Sequence, residues 1–173
     1  MDKPDIPGYI LVVVDMQPLF RASKCPALLS AVESEVAQAV AQGLPVLVLE
    51  CYPQVNGATH QSLLAPLAGY DTLKHIVLQK QSSSGGRQVF EACRLFGWDS
   101  QFQTVRFCGV NTTDCVFETA SDLSLYLREM HLTFVSGACA DEFYPQDHSP
   151  AQGITAWQRF AQKAERRFAY ELI

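Results

Sequence analysis

The sequence predicts an α/β protein, a three-layer α/β/α arrangement around a mostly parallel, Rossmann-like sheet of about six strands. Three observations lead there. Tyr9–Val14 is a nearly continuous, valine-rich apolar run that stops abruptly at Asp15, the pattern of a strand buried on both faces. Strand-type runs then alternate with helix-type stripes along the chain, as right-handed βαβ units do. With 173 residues, 48% hydrophobic and 18% charged, the chain has the size and composition of a single domain over residues 1–173.

The elements follow in order. Pro26 to Gly43 reads as a helix, because Leu28, Leu29, Val32, Val36, Ala39 and Val40 share a stripe and Gly43 is a natural stop. Pro45–Leu49 is a second strand, closed by Glu50. Residues 51–72 are rich in Pro, Gly, Asn and Gln, with one short helix near Gln61–Leu67. His75–Leu78 is a third strand leading to Lys80, Ser82–Gly86 a loop, and Gln88–Phe96 a helix stopped by Gly97. Thr104–Cys108 is a fourth strand. The helix after Cys115 puts Val116, Ala120, Leu123, Leu127 and Met130 on one face. Leu132–Val135 is a fifth strand, Ser149–Arg166 a last helix and Phe168–Ile173 a sixth strand.

Composition excludes several classes of function. Lysine and arginine number 13 against 18 acids, a net charge of −5, which argues against nucleic acid or an anionic membrane as the partner. No apolar run has the length of a membrane span. The opening Met-Asp-Lys-Pro-Asp-Ile-Pro-Gly has acids and prolines where a secretory signal has basic and then apolar residues, so a cytoplasmic protein is expected. The six cysteines form no C-x-x-C pair, and in a reducing compartment most are expected to be small buried hydrophobes.

Function in such sheets gathers at the carboxyl ends of the strands. Asp15, Lys80 and Cys115 all fall there. Alone, each is ordinary: an acid after a strand often caps a turn, a lysine there is usually solvated, and a cysteine usually packs. Cys115 is the best placed of the three. Asn111-Thr112-Thr113-Asp114 before it looks like a helix N-terminus, with Thr112, Thr113 and Asp114 as caps. Such a terminus favours a thiolate and offers N–H groups to an oxyanion. A carboxylate and an ammonium nearby would complete an activated nucleophile.

Val-Val-Val-Asp15-Met16-Gln17-x-x-Phe20, then Lys80 with Ser84, then Gly109-Val110-x-Thr112-x-x-Cys115-Val116-x-x-Thr119-Ala120-x-Asp122 resemble the isochorismatase-like cysteine hydrolases. That family holds nicotinamidases, carbamoyl-amine amidases and isochorismatases. Ala140-Asp141 and His148 extend the likeness toward the C-terminus. The resemblance implies the isochorismatase-like hydrolase fold and an Asp15-Lys80-Cys115 triad. It also implies a cis peptide between Val110 and Asn111 that turns the Asn111 and Cys115 N–H groups toward one oxyanion. Phe20 would wall the substrate-binding pocket, and Gln17 beside it would hold the loop. Relatives that bind a metal carry Asp-x-His after the second strand. Glu50-Cys51-Tyr52-Pro53 stands here, with His60 isolated, so no metal and no cofactor are expected and nicotinamide is disfavoured. Gly86 and Gly137 also depart from the pattern, so substrate does not carry over.

The leading expectation is an amidase that cleaves a C–N bond of a small substrate through a Cys115 thioester. Two others stand beside it: a vinyl-ether hydrolase of the isochorismatase type with Asp15 as acid, and a non-catalytic binding or regulatory protein on the same fold. Glu118 is expected to be solvated, and Tyr52, Phe143, Tyr144 and Trp157 to line a pocket or an oligomer interface. The family likeness implies a homodimer or homotetramer.

Overall fold

The computed structural model describes residues 8–146 and 153–173. Six parallel strands form one sheet in the order β3-β2-β1-β4-β5-β6. They are β1 (Ile10–Val14), β2 (Val46–Cys51), β3 (His75–Lys80), β4 (Thr104–Val110), β5 (His131–Ala140) and β6 (Glu171–Leu172). The helices are α1 (Pro26–Ala41), α2 (Pro53–Asn56), α3 (Gln61–Leu64), α4 (Gly86–Phe96), α5 (Trp98–Gln101), α6 (Phe117–Tyr126) and α7 (Ala156–Ala164). Short 3-10 turns cover Ala22–Lys24 and Ala65–Leu67, and a π-turn over Thr112–Val116 opens α6.

The valine-rich first strand explains the layering. Alternate side chains of β1 point to opposite faces, and all five are fully buried. Ile10, Val12 and Val14 join a core with Val89 of α4, Leu123 of α6 and Phe160 of α7. Leu11 and Val13 join a second core with Val32, Val36 and Ala39 of α1 and with Leu63 and Leu67. The chain order reverses direction between β1 and β4, so their carboxyl ends flank the crevice where such sheets bind ligands.

Local chemistry sets the ends. Pro26 starts α1, and a Schellman motif ends it: Gly43 N–H donates to Val40 O, and Leu44 N–H to Ala39 O. A capping box between Thr155 and Gln158 opens α7. β3, β4 and β5 outrun the expected strands, whereas β6 is limited to Glu171–Leu172 within the expected Phe168–Ile173. β3 carries on to Lys80 and β4 to Val110, because ladder pairing continues through polar and glycine residues that read as loop. β5 reaches Ala140 past a register shift opposite Phe107–Gly109. Leu127 and Met130 lie beyond the end of α6, yet still pack against the core. The expected start of the last helix at Ser149, and His148, lie outside the described residues. No helix among the described residues is long and apolar enough to cross a membrane.

Candidate active site

Asp15 follows β1 with φ at +51°, a left-handed turn that aspartate tolerates better than most residues. Its N–H still donates to Leu49 O at 3.0 Å, which fixes the turn to the end of β2. The side chain is fully buried, and Oδ2 lies 2.8 Å from Lys80 Nζ, itself fully buried at the end of β3. The ammonium also donates to Ser82 O and Ser83 O, each at 2.9 Å. Lys80 is therefore not solvated.

Cys115 sits in the π-turn, where Val116 N–H donates to Asn111 O at 3.0 Å. Turns of this kind recur at functional sites. The peptide between Val110 and Asn111 is cis. The expected caps are not made by Thr112, Thr113 and Asp114. Asp141, just past β5, takes that role instead, with Oδ2 accepting from both Thr113 N and Thr113 Oγ1 at 2.7 Å. From the other side Lys163 of α7 donates to Thr113 O at 2.7 Å and to Glu118 Oε1 at 2.9 Å. Glu118, expected to be solvated, is thus a partly buried ion-pair partner. Nothing local in the sequence signals the role of Lys163, because it acts from a distant helix.

The loops are bound to one another. Gln17 is fully buried; its Oε1 accepts from Cys51 N at 2.7 Å, and its Nε2 donates to Cys51 O at 3.2 Å and to Gly57 O. The whole amide is spent on backbone, so Gln17 holds the loop, as expected, and has no donor left for substrate. Phe20 is half-buried and packs on the α1-side core. Ser84 donates to Asp122, and Gly85 N–H to Thr119 Oγ1 at 3.0 Å, tying the lysine loop to the helix that follows Cys115. Gly109, with φ at +118°, lets β4 pass β1: a Cβ there would lie 2.1 Å from Val14 O. Trp157 joins the aromatic core around Phe134 and Phe160, not the site.

The electrostatics revise one expectation. Burial, reinforced by the Asp15 charge, pushes the Cys115 thiol well up, and Lys80 offsets only part of this. Burial and the neighbouring carboxylate therefore favour the thiol form of Cys115, against the thiolate expected from the helix terminus. Burial likewise raises Asp15 above the usual carboxylate range, opposed by Lys80 and by its contact with Cys115. Burial works to lower Lys80, but Asp15 and then Cys115 outweigh it and the net shift is upward.

The polar side chains at the end of β2 and after it are engaged elsewhere. Glu50 Oε1 accepts from Thr59 N at 2.8 Å, Tyr52 donates to Gln81 O, and His60 Nε2 lies 3.0 Å from Ser23 Oγ. Among the described residues no three His, Cys, Asp or Glu side chains form a metal-binding group.

The isochorismatase domain family matches residues 9–162. No curated protein matches the sequence. Among solved structures, a nicotinamidase from Staphylococcus aureus is 13% identical with a TM-score of 0.71, covering 97% of this chain and 100% of its own. An isochorismatase from Pseudomonas putida is 18% identical with a TM-score of 0.70, covering 99% and 91%. An N-carbamoylsarcosine amidase from Thermoplasma acidophilum is 20% identical with a TM-score of 0.65, covering 95% of each chain. At these identities the likeness is one of fold.

Proposed function

This chain belongs to the isochorismatase family of hydrolases, and on that premise we propose that it cleaves a C–N bond of a small amide-type substrate through a thioester at Cys115. The observation that carries the reading is the meeting, at the ends of three strands, of a buried thiol, a buried carboxylate in contact with it and a buried ammonium 2.8 Å from that carboxylate. Two structural relatives are named for amide substrates, a nicotinamidase and an N-carbamoylsarcosine amidase.

In this reading Sγ attacks the substrate carbonyl while its proton passes to Asp15, so no resting thiolate is needed. The upward shift of Asp15 brings its basicity closer to the working range. The backbone N–H groups of Asn111 and Cys115 take the oxyanion. Asp15 then returns the proton to the leaving nitrogen as the C–N bond breaks, leaving a thioester. Water attacks the thioester and Asp15 takes its proton. The S–C bond breaks, the acid departs and Sγ regains its hydrogen. Lys80 keeps the carboxylate in place and ionisable throughout. The working assembly is proposed to be a homodimer or homotetramer.

The test is a substrate panel run on three variants. Cys115→Ser and Cys115→Ala are expected to lose at least about 10³-fold in turnover of the best amide while keeping the native circular dichroism spectrum, and Asp15→Asn to lose as much. Turnover of isochorismate by Cys115→Ala at the wild-type rate would replace this reading with the vinyl-ether one, in which Asp15 is the acid and the thiol is idle.

A further inference from the structure

Asp114 stands beside the nucleophile and has no part in the proposed acyl transfer. It does not cap the helix it opens, since the π-turn has no side-chain cap. Its Oδ2 lies 4.0 Å from Cys115 Sγ, and no other side-chain partner for this carboxylate exists among the described residues. The residue is half-buried, so its carboxylate keeps part of its contact with solvent. Its charge reaches into the site, where it helps raise Cys115, Asp15 and Cys51.

The nearby cations are all committed elsewhere. Lys80 serves Asp15 and the carbonyls of Ser82 and Ser83. Lys163 serves Glu118 and Thr113 O, and Arg167 serves Glu118 and Ser121. Asp141 and Glu142, which hold Thr113 N and Ala22 N from the adjoining loop, add charge of the same sign. One ammonium thus faces two carboxylates beside the thiol, Asp15 and Asp114, and Asp114 is the one left without a counterion. A carboxylate so placed offers a substrate ammonium a charge-assisted hydrogen bond and repels a substrate carboxylate.

We infer that Asp114 is a specificity-determining residue that selects small amides carrying a positive charge near the scissile carbonyl and rejects anionic ones. The inference rests on the acyl-transfer reading of the site, and it names the substrate class that reading leaves open. The same charge disfavours a dianion such as isochorismate.

Two measurements on the full chain separate this inference from the reading beneath it. The first needs no turnover. Cys115 is modified with 2-aminoethyl methanethiosulfonate, a cation, and with 2-sulfonatoethyl methanethiosulfonate, an anion, and followed by peptide mass mapping. In each case sulfur displaces methanesulfinate to form a mixed disulfide, so the ratio of the two rates cancels any change in thiol ionisation. In wild type the cation is expected to react roughly fivefold to tenfold faster than the anion, the scale of one partly exposed charge pair. Asp114→Asn should bring the ratio toward one, and Asp114→Glu should restore it. Rising salt should compress the wild-type ratio, a readout that stands even where a variant fails to fold. A wild-type ratio near one, or a ratio that Asp114→Asn leaves unchanged, overturns the inference. The second measurement compares hydrolysis of 4-aminobutanamide with that of succinamate. The inference expects a higher kcat/KM for the cation, with the difference in KM and reduced in Asp114→Asn. Preference for succinamate in wild type overturns it. Turnover of neither amide, with the labelling ratio as expected, removes the amidase reading and supports the role of Asp114 in selecting charge.

Discussion

Burial and the Asp15 charge both push the Cys115 thiol upward, and two pH dependences follow. A raised thiol is neutral across the neutral range, so alkylation of Cys115 by iodoacetamide should still be climbing at pH 9. Exposed Cys25 should be labelled ahead of it at pH 7. A Cys115 rate that levels off below pH 8 contradicts this. Asp15 must be a carboxylate to accept the thiol proton, and burial raises it. Activity should therefore fall with decreasing pH through a midpoint above the ordinary carboxylate value of about 4. Lys80→Met should move that midpoint higher still, because the ammonium is what lowers Asp15; a midpoint that stays put shows that another group sets the limb. The candidate positions Asp15, Lys80 and Cys115 were legible in the sequence because each stands at a strand end within a motif in order. The ionisation of Cys115 was not legible, because a helix terminus is visible locally whereas desolvation depends on every element packed around it.

At the scale of elements, the site depends on how closely β1 and β4 approach. Gly109→Ala would place a methyl 2.1 Å from Val14 O at a φ of +118°, and both effects destabilise. The cost is expected to be about 3 kcal/mol or more by urea denaturation. Gly137→Ala, where a Cβ meets nothing within 4 Å, is the control and should stay within about 1 kcal/mol of wild type. Equal effects at the two positions would mean that close strand approach at Gly109 is not what the fold requires. The elements themselves were readable from hydrophobic periodicity, but their ends were not. β3 and β4 extend through Gln79, Lys80 and Gly109, residues that resemble loop in isolation and are strand only because a neighbour pairs with them. The π-turn before α6 left no local trace either, since its Thr113 N–H is satisfied by Asp141 from beyond the end of β5.

Across the whole molecule, the strand order brings the ends of β1, β2, β3 and β4 together and covers both faces of the sheet. An α/β/α sheet was legible from the valine-rich first strand and the alternation of elements, and the meeting of Asp15 and Lys80 from the family resemblance. The charge pattern beside Cys115 was not, because Asp114 reads as a helix cap until the structure shows Asp141 in that role and Asp114 beside sulfur. The most direct measurement of the central claim is intact mass of the enzyme quenched during turnover of its best amide, with mapping of the modified peptide. Acyl transfer predicts a mass gain equal to the substrate less its amine, carried on Cys115 and absent from Cys115→Ala. Full turnover with no adduct on any cysteine, and an equal rate in Cys115→Ala, would contradict it.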